Sequence, residues 1–143
     1  MIGFSIKINL IPERALLAEF AKQRRRGLFR MAAYVRTTAR NSIKRRKGDS
    51  APGLPPYTKN GNLKRNIFYD IDFTNETLVV GPSLLPGMSG DVTDVLEHGG
   101  TIKRRSKRYG KAITATYEAR PFMAPALQKS QSKLDEIWGE SVT

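Results

Sequence analysis

The sequence predicts an α+β fold: an antiparallel sheet of about two hairpins plus an N-terminal strand, packed by one long N-terminal helix and a C-terminal helix. Three observations predict it. Apolar residues recur at three- and four-residue steps from Glu13 to about Ile43, the period of one helix face. Two later stretches alternate at period two, each interrupted by turn residues. A last apolar stretch begins at Pro125, where a missing N–H suits a helix start. With 143 residues the chain has the size of one domain, so 1–143 reads as a single unit able to bury its own core.

Taken in order, Ile2, Phe4, Ile6 and Ile8 alternate and predict a half-buried strand over 2–8. Asn9 to Pro12 connects it to the long helix. There Leu17, Phe20, Leu28, Met31, Ala32, Val35 and Ala39 make one apolar stripe, roughly 45 Å long at 1.5 Å per residue. Gly27 stands mid-helix and weakens it by roughly 1 kcal/mol relative to Ala, a place for a bend or break. Lys44-Arg45-Arg46-Lys47 ends the helix with cations that suit its dipole. Residues 48–62 are rich in Pro and Gly and read as a structured loop or a mobile arm. Asn62 to Asn66 reads as one helical turn. Ile67–Phe73 and Thr77–Gly81, around Thr74-Asn75-Glu76, read as the first hairpin. Pro82 to Gly90 is a loop. Val92–His98 is a short helix stopped by Gly99-Gly100. Thr101–Ser106 and Ala112–Glu118 form the second hairpin, with Ile113, Ala115 and Tyr117 available for a buried face. The final helix carries Leu127, Leu134, Ile137 and Trp138 on one side.

Charge dominates the composition. Against 13 Asp+Glu stand 25 Lys+Arg, a formal net charge of +12. Such an imbalance calls for an anion, either DNA or an acidic protein, or for an assembly that relieves the repulsion. Cysteine is absent, which removes disulfides and thiolate metal sites and fits a reducing compartment. No apolar run has the length to span a bilayer, and the N-terminus lacks a secretory leader, so no membrane is expected.

Few residues invite catalysis. His98 is the single histidine, and Glu97 beside it offers a general base. Catalysis also needs a nucleophile or metal beside it, and the sequence has no second histidine and no cysteine to complete a cluster. Asp70, Asp72, Asp91, Asp94 and Glu97 could gather a magnesium ion for nuclease chemistry, but Asp70 and Asp72 read more simply as the solvent side of a hairpin. No phosphate-loop or dinucleotide pattern occurs; Gly99-Gly100 reads as a corner of positive φ. The chain therefore reads as a non-enzyme, with no cofactor and no metal. The basic runs differ among themselves. Arg24-Arg25-Arg26 spreads over about 200° of helix arc and cannot face one phosphate backbone. Lys103, Arg104, Arg105, Lys107, Arg108 and Lys111 put six cations in nine residues across a hairpin tip, where they repel unless an anion answers them. These six are the candidate interface or DNA-channel contacts of a basic hairpin at 101–118. Leu54, Pro55, Pro56 and Tyr57 form the candidate subunit-contact loop, stiffened by proline and apolar where a solvated loop is polar.

Three segments stand in a recognisable order: Ala51-Pro52-Gly53-Leu54-Pro55-Pro56 with Gly61-Asn62-Leu63, then Val95-Leu96-Glu97-His98-Gly99-Gly100-Thr101, then Ala119-Arg120-Pro121-Phe122-Met123-Ala124-Pro125-Ala126-Leu127. Together they resemble the neck and tail-completion (head–tail joining, minor tail) proteins of long-tailed bacteriophages. The resemblance covers roughly residues 51 to 128, with a compatible N-terminal helix. It implies a structural virion protein of the head–tail junction, assembled in the bacterial host cytoplasm as a homo-oligomeric ring, commonly a hexamer. Its implied partners are an adjacent head-closure or connector ring, the tail tube or tail terminator, and packaged double-stranded DNA in the channel. A basic nucleic-acid-binding module is the alternative that charge supports. The second glycine after His98 and the long basic hairpin depart from the family pattern.

Overall fold

A computed structural model describes residues 12–83, 91–105, 110, 112–133, 135–137 and 139; the side chains of residues 91, 104 and 105 are outside that description. Within it the chain runs α1 (Glu13–Ser42), α2 (Asn62–Arg65), β1 (Ile67–Asp72), β2 (Thr77–Pro82), α3 (Asp91–His98), β3 (Gly100–Arg105), β4 (Ala112–Tyr117) and α4 (Met123–Gln131). This is the expected α+β class. The strands form two antiparallel sheets of two strands each, β1–β2 and β3–β4. The strand expected over 2–8 lies outside the described residues, as do the side chains of Leu134 and Trp138.

Helix α1 is continuous for 30 residues, so the break allowed at Gly27 does not occur. Gly27 is buried on the face that also buries Met31, Ala32, Val35 and Ala39. The stripe is only half used. Leu17 is 59 % and Phe20 52 % exposed, although both lie on the predicted apolar stripe. The reason is reach. The β1–β2 turn meets α1 at Arg24, whose guanidinium lies 2.7 Å from Glu76, and at Phe29, whose ring centre is 5.6 Å from that of Phe73. Among the described residues, nothing covers the turns of α1 that precede this contact.

The core therefore gathers around the C-terminal half of α1. Ala39 and Ile43 meet Leu63 of α2, Ile67 at the start of β1, and Phe122 and Ala126 at the start of α4, with Val80, Leu96 and Met123 at its margin. Arg36 ties α1 to β1 by donating its Nε–H to the Ile67 carbonyl at 2.8 Å. Helix α4 starts two residues before the expected Pro125. Its buried residues are Ala126 and Ser130, whereas Leu127 is 50 % exposed, contrary to the expected apolar face. Ser130 is tolerated inside because its hydroxyl donates back to the Ala126 carbonyl at 2.7 Å, leaving no polar atom unpaired.

In the first hairpin Ile67 pairs with Pro82 and Asp72 with Thr77. The Asp72 carboxylate accepts from Thr74 N, Asn75 N and Asn75 Nδ2 at 2.8, 3.2 and 2.7 Å, closing the turn as an aspartate-capped loop does. The second hairpin pairs Gly100 with Tyr117 and Arg105 with Ala112. Its expected buried face is not buried. Ile113 is 42 % exposed and Ala115 and Tyr117 are half-buried, because among the described residues the principal packing of this hairpin on another element is that of β3 on α3.

Candidate functional site

The three segments that stand apart in the sequence meet at one junction. Its centre is Glu97, the next-to-last residue of α3. One carboxylate oxygen, Oε2, accepts from the backbone N–H of Phe122 at 3.0 Å and of Met123 at 3.1 Å. The other, Oε1, accepts from Ala124 N at 2.8 Å. These are the free donors of the first turn of α4. The next position is Pro125, which has no N–H to satisfy. Phe122, the capping residue, contributes no side-chain hydrogen bond of its own. Glu97 thus supplies from another element both the acceptors and the negative charge that a helix N-terminus favours.

Backbone bonds lock the same place. Arg120 N donates to Leu96 O at 2.7 Å, and Gly53 N donates to Ala119 O at 2.8 Å. The Arg120 side chain reaches back to the Ser50 carbonyl at 3.0 Å. Gly99 ends α3 at φ +78°, and a Cβ there would stand 3.1 Å from Ala119 N. Gly100 follows at φ +143°. The glycine pair is a corner of positive φ, as its sequence predicts, with the added demand of a close backbone neighbour. Sequence reasoning missed the roles of Glu97 and Arg120. A signal existed: a helix opening Phe-Met-Ala-Pro has no Ser, Thr, Asp or Asn to cap it, so it requires an acceptor from elsewhere.

Glu97 is thus engaged by three backbone donors of α4. His98 is exposed and lies 3.8 Å from Asp94. The Asp72 carboxyl is held below its ordinary value, first by the Asn75 side chain and then by the turn amides; it serves the turn. Among the described residues no three His, Cys, Asp or Glu side chains form a group able to hold a metal, and no helix is long and apolar enough to cross a membrane.

The loop over 48–62 is tied down at several points. Thr58 N donates to Lys44 O at 3.0 Å, and Gly61 N donates to the Thr58 hydroxyl at 3.1 Å. Of its candidate contact residues, Pro56 is buried and Pro55 and Tyr57 are half-buried. Arg46 lies over the Tyr57 ring at 5.6 Å. Leu54 alone stands out, at 54 % exposure. Of the six candidate cations, Lys103 is exposed on β3. Arg104 and Arg105 complete that strand, with Arg104 opposite Ile113; Lys107, Arg108 and Lys111 lie outside the described residues. The loop joins the junction through Gly53 and Ser50. The hairpin springs from the same junction through Gly100 and Tyr117.

No family model, no curated protein and no solved structure matches this chain.

Proposed function

We propose that this protein is a structural subunit of the ring at the head–tail junction of a long-tailed bacteriophage or prophage. The observation that carries the reading is the junction itself. The three segments on which the resemblance rests use their distinctive residues to hold one another. Glu97 caps the helix opened by Phe122, Arg120 holds the loop at Ser50, and Gly99 admits Ala119. Residues spent on architecture in this way suit a protein that works by assembly. The junction also fixes the base of the β3–β4 hairpin, whose sequence carries the densest run of cations. In this reading the hairpin, held at its base, carries its cations to packaged DNA or to an acidic rim on an adjacent ring. A single domain cannot enclose a duplex, whereas a closed cyclic array of heterologous contacts can.

The test is to replace Arg104, Arg105, Lys107 and Arg108 with glutamate in the phage. Surface substitutions generally alter stability by less than about 0.5 kcal/mol, and circular dichroism of the variant checks that the subunit still folds. Electron microscopy of the lysate should show DNA-filled heads and unattached tails. Joined particles at parental titre would overturn the role given to the hairpin. The +12 charge keeps a second reading, a basic nucleic-acid-binding module. Its mark is an affinity of the isolated protein for duplex DNA that falls steeply with log salt.

A further inference from the structure

We propose that the N-terminal half of α1 is a docking surface for an acidic amphipathic segment of a partner protein. The inference does not depend on the head–tail reading, since it rests on a different face. Lys22, Arg25 and Arg26, with Ala18, Ala21 and Phe29, line an open concavity of about 410 Å³. All six belong to one helix, so apolar and cationic side chains are interleaved on a single face of α1. Leu17, four residues before Ala21 and 59 % exposed, adds an apolar side chain on the same helix face toward its start.

The far end is built in advance. Phe29 packs on Phe73, and Arg25 lies over the same Phe73 ring at 5.2 Å. Arg25 is thereby oriented before any partner arrives, which lowers the entropy lost on docking. The charge is largely unanswered within the chain. Lys22 has an exposed, weak contact with Glu19 at 3.6 Å, and Arg26 has no ion pair among the described residues. Arg24, by contrast, is drawn away to Glu76. A face of interleaved apolar and cationic side chains complements a helix with apolar anchors at i and i+4 flanked by carboxylates.

Phosphate is the poorer match. A DNA backbone would meet the cations but leave Leu17, Ala18, Ala21 and Phe29 against charge, and phosphate contact needs no apolar side chains. An anionic membrane favours cationic and apolar groups on separate faces, whereas here they share one.

The probe is a fluorescein-labelled synthetic helix with leucine at i, i+4 and i+7 and glutamate elsewhere, titrated with the full chain. A scrambled peptide of the same composition, a fluorescein-labelled DNA duplex and phosphatidylserine vesicles are the comparison arms. Saturable peptide binding should weaken at least about tenfold in the scrambled peptide. It should weaken by a similar factor in an Arg25→Glu/Arg26→Glu variant of unchanged circular dichroism. Substituting Lys103→Glu should leave it unaltered, because that residue lies on the hairpin. Equal binding of scrambled and ordered peptides would reduce the site to a non-specific charge contact and overturn the proposal. So would tighter, Arg25- and Arg26-dependent binding of the duplex or the vesicles, or no saturable binding of the ordered peptide.

Discussion

Glu97→Ala removes the acceptor of three backbone donors at once. Two of them, Phe122 N and Met123 N, are part-buried, and the third, Ala124 N, is exposed. A part-buried donor left without a partner costs about 1–3 kcal/mol. The exposed donor passes to water at little net expense. Loss of a helix cap by itself falls at about 0.5–2 kcal/mol, which sets the lower bound. The substitution should therefore destabilise the protein by about 2–4 kcal/mol. Glu97→Gln keeps one carbonyl oxygen, enough for Phe122 and Met123 together, but loses the charge and the second acceptor; about 1–2 kcal/mol is expected. Urea unfolding followed by circular dichroism reads both values, with an unchanged slope marking a change in stability alone. Hydrogen exchange should accelerate at Phe122, Met123 and Ala124 before it does in β1. A Glu97→Ala protein within about 0.5 kcal/mol of its parent would refute the claim that this carboxylate anchors the junction.

Two further outcomes follow from local geometry. Gly99→Ala should destabilise more than Gly48→Ala. Both have positive φ, but a Cβ at Gly99 would also meet Ala119 N at 3.1 Å, whereas one at Gly48 would meet nothing within 4 Å; the shared backbone strain is about 1–2 kcal/mol, and urea midpoints measure the difference. Asp72 carries a folded-state value lowered from the ordinary 3.8, so its contribution to stability is fully present above its unfolded value and is lost as pH falls through the lower folded one. Carboxyl NMR should place its midpoint below 3.8, and Asp72→Asn should flatten the acid limb of the stability curve; a midpoint at or above that value would contradict the capped turn.

What the sequence made legible was local. The span of α1 and the two hairpins follow from periodicity, because a helix stripe and a strand alternation are short-range signals. Gly99-Gly100 announces its corner for the same reason. Burial was less legible, since it depends on what arrives from elsewhere. Leu17 and Phe20 belong to the stripe that buries Met31 and Val35, yet they stand exposed because the first hairpin reaches no farther than Arg24. Ser130 is inside and Leu127 outside because a hydroxyl that bonds within its own helix no longer resists burial. The junction lay beyond local patterns altogether. Glu97 and Phe122 are 25 positions apart, Arg120 and Ser50 are 70 apart, and no periodicity links such residues.

The late position of Phe122 bears on how the chain folds as it leaves the ribosome. Ala39, Ile43, Leu63 and Ile67 are synthesised early, but the side chains that close over them, Phe122 and Ala126, come more than fifty positions later. Until those two emerge, the nascent chain holds an amphipathic helix and an uncovered apolar seat. Contacts of such wide separation slow closure, and the uncovered seat is the surface on which partly made chains aggregate. Chains interrupted before residue 122 would remain open to chaperones and proteases, so synthesis through the Arg-Pro-Phe segment separates chains able to close their core from fragments.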